Sequence, residues 1–93
     1  MVKHIVLFTL KEELDKDATV KFVASLLEPL VGKIPGLVSL EVRRCFRGAD
    51  FALYSVLESR EALESYAVHP LHLDALNQFK HNLSGRVAAD YEI

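Results

Sequence analysis

Residues 2–10 alternate as a β-strand, yet both of their faces are apolar. Val2, His4, Val6, Phe8 and Leu10 fall on one face, and Ile5 and Leu7 on the other. A strand of this kind is covered on both sides. A chain of 93 residues has room for one hydrophobic core, so a single domain over 1–93 is expected. Its own helices can cover one face of the strand, and something else must cover the second. The composition points the same way, since 51% of the residues are apolar, near the top of the usual range. A ligand cavity, a subunit interface or both would absorb that surplus.

The rest of the chain reads as strand–helix–strand, given twice. Asp15-Lys16-Asp17 supplies N-cap candidates for a helix over 17–32. Phe22, Val23, Leu26, Leu27 and Leu30 mark its buried side. Pro29 predicts a kink or break there, and Ile34-Pro35-Gly36 ends the segment. Strands follow over 37–46 and 51–58, joined by the hairpin connection Arg47-Gly48-Ala49-Asp50. Ser59 caps a short helix from Arg60 to Ala67, and Pro70 opens another that runs to about Asn82. Ser84-Gly85 is expected to break that helix before a last strand carrying Val87, Ala89, Tyr91 and Ile93. The order β-α-β-β-α-β, with its second helix broken in two, is the ferredoxin-like α+β arrangement. It has a four-stranded antiparallel sheet with helices on one face. A second copy packing sheet to sheet is the simplest cover for the other face.

Charge and motifs exclude several classes. Eleven Lys and Arg against thirteen Asp and Glu leave a net charge of −2. No global field is available to hold nucleic acid. Arg43 and Arg44 alternate to opposite faces of a strand, which favours salt-bridged strand-end arginines over one anion patch. Cys45 is the only cysteine, so no intrachain disulfide can form. Charge interrupts the apolar start at Lys3 and follows it at Lys11-Glu12-Glu13, unlike a signal peptide. No stretch reaches the length of a membrane span, and a cytoplasmic protein without membrane contacts is expected. The four glycines form no phosphate loop, so no cofactor is expected.

The chemistry-bearing residues are histidines and one tyrosine. His4 lies in phase with Val6 and Phe8. His69 caps the helix that Pro70 opens, and His72 follows in its first turn, a spacing that can place both on one side. Tyr66 ends the helix before them. A histidine titrates near neutrality and a phenol can orient a substrate oxygen, so His72, Tyr66 and His4 are candidate acid/base residues. His69, Phe22 and Leu27 are candidate ligand contacts. The structural alternative makes His4 a satisfied half-buried histidine and His69-Pro70 a rigid inter-helix turn. Three imidazoles could also hold a metal, but H-P-x-H is not a specific ligand spacing and no acidic residue is clearly aimed at it, so no metal site is assigned. His81 fits helix-dipole compensation at a solvated end. Asp50 and Asp90 are expected to bond backbone at strand ends.

Taken in order, these pieces resemble a family. Val2-Lys3-His4-Ile5-Val6-Leu7-Phe8, Ile34-Pro35-Gly36, Asp50, Tyr66-x-x-His69-Pro70-x-His72 and Asp90-Tyr91 are similar to the stress-responsive dimeric α/β barrel (Dabb) domains. The resemblance implies a homodimer whose sheets form a barrel with helices outside, and a small cavity in each subunit. Most members have no assigned reaction. A plant member closes a linear polyketide by an aldol-type condensation. Its acid/base histidine, partner tyrosine and further pocket histidine match His72, Tyr66 and His4. A second pocket tyrosine of that enzyme falls on Leu27, so its substrate and reaction do not carry over. Three readings stay open: a homodimer that binds a small molecule, a cyclase, lyase or isomerase using a His–Tyr pair, and a structural or protein-interaction dimer.

Overall fold

The computed structural model describes residues 1–93. Its elements are β1 (Val2–Leu10), α1 (Lys16–Leu27), β2 (Leu37–Arg44), β3 (Phe51–Leu57), α2 (Arg60–Val68), α3 (Pro70–Phe79) and β4 (Leu83–Glu92). The strands form one antiparallel sheet in the order β2-β3-β1-β4, the expected ferredoxin-like arrangement. Each helix start has a named cap. The Asp15 carboxylate accepts from the Ala18 N–H at 3.1 Å, and the Ser59 hydroxyl accepts from the Ala62 N–H at 3.0 Å. Pro70 occupies the first turn of α3, where its missing N–H costs nothing.

The first helix departs from expectation in length and face. It ends at Leu27 and tightens into a 3₁₀ turn, Glu28–Leu30, around Pro29. The expected break is therefore a change of helix type. Its buried stripe is Val20, Val23 and Leu27, while Phe22 is 44% exposed. Phe22 lies about 100° around the helix from Val23, at the margin of the stripe. The turn also does work for the sheet. It places Glu28 so that its carboxylate accepts the outward-facing Val42 N–H of edge strand β2 at 3.0 Å.

Two strand boundaries also move. β2 stops at Arg44 rather than at 46, and β4 starts at Leu83 rather than near Val87. Ser84 and Gly85 do not break the chain between helix and strand. The Ser84 hydroxyl donates to the carbonyls of Thr9 and Leu10, each at 3.3 Å, across a register shift at Thr9/Leu10. The polar pair thus carries the ladder through an irregularity. Helix α3 ends at Phe79, and a 3₁₀ turn covers Lys80–Asn82.

A core of 17 buried residues fills the space between sheet and helices. Phe8 stacks on Phe51 with centroids 4.6 Å apart, and Phe79 meets Phe8 edge-on at 6.3 Å. Each such side chain contributes roughly 1.5–3 kcal/mol on burial. Gly36 has φ +85°, and a Cβ there would stand 2.6 Å from the Ala62 Cβ. The turn before β2 and helix α2 thus approach each other as closely as only glycine permits. Asp50 ties three elements: its carboxylate accepts the Leu10 N–H at 2.7 Å, pairs with Lys16 at 3.0 Å and lies 3.9 Å from Arg44. This goes beyond the backbone contact expected of it.

The outer sheet face lacks helices. Leu7, Val87 and Tyr91 are exposed on it, Ile5 and Tyr54 are half-buried, and Ile93 is exposed just beyond the end of β4. No helix is long and apolar enough to cross a membrane.

Candidate functional site

Three of the sequence-selected residues come together beneath the helices. β1 presents His4 on the face it shares with Val6 and Phe8. α2 delivers Tyr66 from its last turn, and α3 delivers His72 from its first. The Tyr66 and His72 rings lie 4.4 Å apart, centroid to centroid, and Tyr66 meets His4 edge-on at 6.4 Å. Tyr66 is 2% exposed, while both imidazoles keep partial exposure. The phenol therefore sits one ring behind the surface.

The hydrogen bonds decide what each group can do. His72 Nδ1 lies 3.1 Å from the Ala67 carbonyl oxygen. A carbonyl only accepts, so Nδ1 carries the proton and a neutral His72 presents its lone pair at Nε2. Burial lowers the pKa of His72, against the Ala67 contact, which raises it; the neighbouring basic groups His4, Arg86 and His69 lower it further. The ring is thus kept neutral near physiological pH. Burial pushes the Tyr66 phenol up to about 12, so it remains a proton donor. Its oxygen is buried and has no hydrogen-bond partner.

Asp90 completes the group. Its carboxylate bonds His4 Nδ1, which fixes the ring so that Nε2 is the nitrogen left unbonded. Asp90 was expected to bond backbone at a strand end; its carboxylate bonds the His4 side chain instead, and this acidic partner was missed. The signal lay in pairing: the β1–β4 register sets His4 opposite Asp90, and alternate residues share a face. Asp90 also lines an open groove of about 340 Å³ with Val2, Arg60, Leu63, Glu64, Tyr91 and Glu92. Arg60 and Glu92 pair at 2.9 Å.

The other candidates lie elsewhere. His69 spends Nδ1 accepting the Leu71 N–H at 3.1 Å, and it lines a groove of about 440 Å³ with Pro35, Gly36 and Glu61. Leu27 is 2% exposed within the apolar core, and Phe22 sits on the outer side of α1. No group of three His, Cys, Asp or Glu side chains is placed to hold a metal ion. Arg43 and Arg44 are salt-bridged as expected, to Glu28 and Glu41 and to Asp17.

The family model for the stress responsive A/B barrel domain matches residues 2–93. The chain belongs to that family. Solved structures similar to this barrel domain include a dimeric ferredoxin-like protein of unknown function from Bacteroides fragilis. That protein is 30% identical over 99% of this chain and 95% of its own, with a TM-score of 0.89. Another dimeric ferredoxin-like protein of unknown function, from Thermobifida fusca, is 27% identical over 99% and 90%, with a TM-score of 0.84. The hydroxynitrile lyase of Passiflora edulis is 18% identical over 99% and 92%, with a TM-score of 0.83. At that identity the likeness is one of fold. No curated protein matches this barrel domain in sequence.

Proposed function

We propose that this domain is a homodimer, joined through its outer sheet faces, that binds a small oxygen-bearing molecule at Tyr66 between His4 and His72. The observation that carries the site is the buried Tyr66 hydroxyl without a partner. Leaving such a donor unsatisfied costs about 1–3 kcal/mol, and a ligand oxygen would remove that cost. The surroundings define the complement: the Tyr66 O–H can donate to a carbonyl or phenolic oxygen, and Nε2 of neutral His72 can accept from a phenolic O–H. The dimer reading draws on the exposed Leu7, Val87 and Tyr91 and on similar proteins described as dimeric.

A second reading, an enzyme of cyclase, lyase or isomerase type, is favoured by the state of His72. Its neutral Nε2 would take a proton from carbon next to a carbonyl. The C–H electron pair would then move into the carbonyl, and the resulting enolate oxygen would accept the Tyr66 O–H.

Acetophenone tests both readings. Its titration should shift the His72 side-chain NMR signals saturably in the wild type but not in Tyr66→Phe. Wild-type protein that accelerates deuterium exchange of its methyl group, with His72→Ala inactive, would support the enzyme. Shifts without exchange support binding alone. No shift with any aryl ketone would leave a structural dimer.

A further inference from the structure

We propose that Arg86 is the anion-binding residue of this site and that the ligand is a small carboxylic acid held as its carboxylate. The inference rests on the ligand-binding reading above and adds the chemical class.

Arg86 stands apart from the other four arginines. Arg43, Arg44 and Arg60 are paired with acidic side chains, and Arg47 lies over its neighbour Phe46 at 5.7 Å. Arg86 has no carboxylate, carbonyl or ring partner among the hydrogen bonds, ion pairs and cation–π contacts of the fold. A guanidinium carries five N–H donors in a fork that matches a carboxylate. This one is unused.

Its position is set by the β1–β4 ladder. Arg86 pairs with Phe8, Ala88 with Val6 and Asp90 with His4. Alternation puts Arg86, Ala88 and Asp90 on the same sheet face as His4. The helices leave this part of β4 uncovered, and all three residues are exposed. The small Ala88 lies between a cationic and a carboxylate residue whose Cα atoms are about 13 Å apart along the strand. The Arg86 charge reaches His72, whose protonation it disfavours. These three residues lie on the face opposite Leu7 and Val87, so pairing through that other face does not cover them.

Charge selects the ligand. One arginine balances one negative charge, and Asp90 at the far end repels a second. A monoanionic carboxylate fits this arrangement better than a phosphate dianion. Seated on Arg86, it would direct the rest of the molecule over Ala88 toward the Tyr66 hydroxyl.

Salicylate, its neutral isostere salicylamide and phenyl phosphate separate these classes, with the His72 imidazole signals as the readout. Wild-type protein should bind salicylate at least about ten-fold more tightly than salicylamide. In Arg86→Gln, a change at an exposed strand position, that preference should vanish while salicylamide affinity stays the same. A preference unchanged by Arg86→Gln, equal binding of both probes, or tighter binding of phenyl phosphate would each overturn the inference. Equal binding would leave the Tyr66 site standing. Absence of any saturable shift would remove the site and the inference together.

Discussion

The His72 ring packs on the Tyr66 ring at 4.4 Å while its Nδ1 is held by the carbonyl of Ala67, the next residue after that tyrosine. α2 therefore sets the tautomer of a histidine that belongs to α3. The junction between the helices fixes this relationship: Val68 ends α2, His69 caps α3, and Pro70 opens it. The broken second helix is thus the device that turns Tyr66 and His72 toward each other.

Tyr66→Phe should separate stability from binding. It removes a buried hydroxyl that has no partner, so the ligand-free protein should gain roughly 1 kcal/mol in urea unfolding. Ligand affinity should fall in the same variant. A loss of stability instead would mean that the hydroxyl is satisfied in solution, by a buried water for example.

The depressed pKa of His72 makes a signed pH prediction. Its folded value lies below the ordinary 6.5, so between those values the unfolded chain binds more protons. Stability falls as pH drops below about 6.5, and the loss is complete once pH has passed the folded value. Melting temperatures of wild type and His72→Asn across this range should diverge, with the variant showing the smaller decline.

Asp50 governs a lower window. Its carboxyl is held below 3.8, first by the Leu10 N–H and next by Lys16. Its contribution is present above that unfolded value and is lost as pH falls through the folded one. Asp50→Ala should cost about 1–3 kcal/mol at neutral pH, because the Leu10 N–H loses its acceptor. An acid-unfolding midpoint that does not move in this variant would contradict the assignment.

Gly36→Ala should destabilise by about 1–3 kcal/mol from its positive φ alone, with the 2.6 Å approach to Ala62 adding to it. Pairing it with Ala62→Gly should recover the steric part and leave the backbone part. Denaturant unfolding of the three variants measures both.

Val87→Glu places charge on the outer sheet face, where Val87 is 69% exposed. If two sheets pair there, sedimentation should show the wild type as a dimer and this variant as a monomer. A wild-type monomer at micromolar concentration would overturn the pairing.

Much of the architecture was legible because its determinants are local. The period of Val2–Leu10, the Ser59 cap and Pro70 at the start of α3 each act within a few residues. Phe22 was misplaced because helical spacing defines a stripe only to within about one residue's rotation. Ser84 and Gly85 were misread because their use depends on Thr9 and Leu10, distant in sequence. The site divides in the same way. Tyr66 and His72 are joined by a short junction and were found together. The bond from Asp90 to His4 depends on strand register, which no local pattern specifies.

Glu28 bears on how copies of this fold can associate. A strand adding at β2 would have to displace the carboxylate that holds the Val42 N–H. Head-to-tail growth, with β2 of one copy meeting β4 of the next, builds fibres wherever the rotation between copies fails to close. Guarding one edge while leaving the other free suppresses that polymerisation and still permits symmetric, self-limiting contacts. A proline-induced tightening of one helical turn therefore also serves as protection against aggregation.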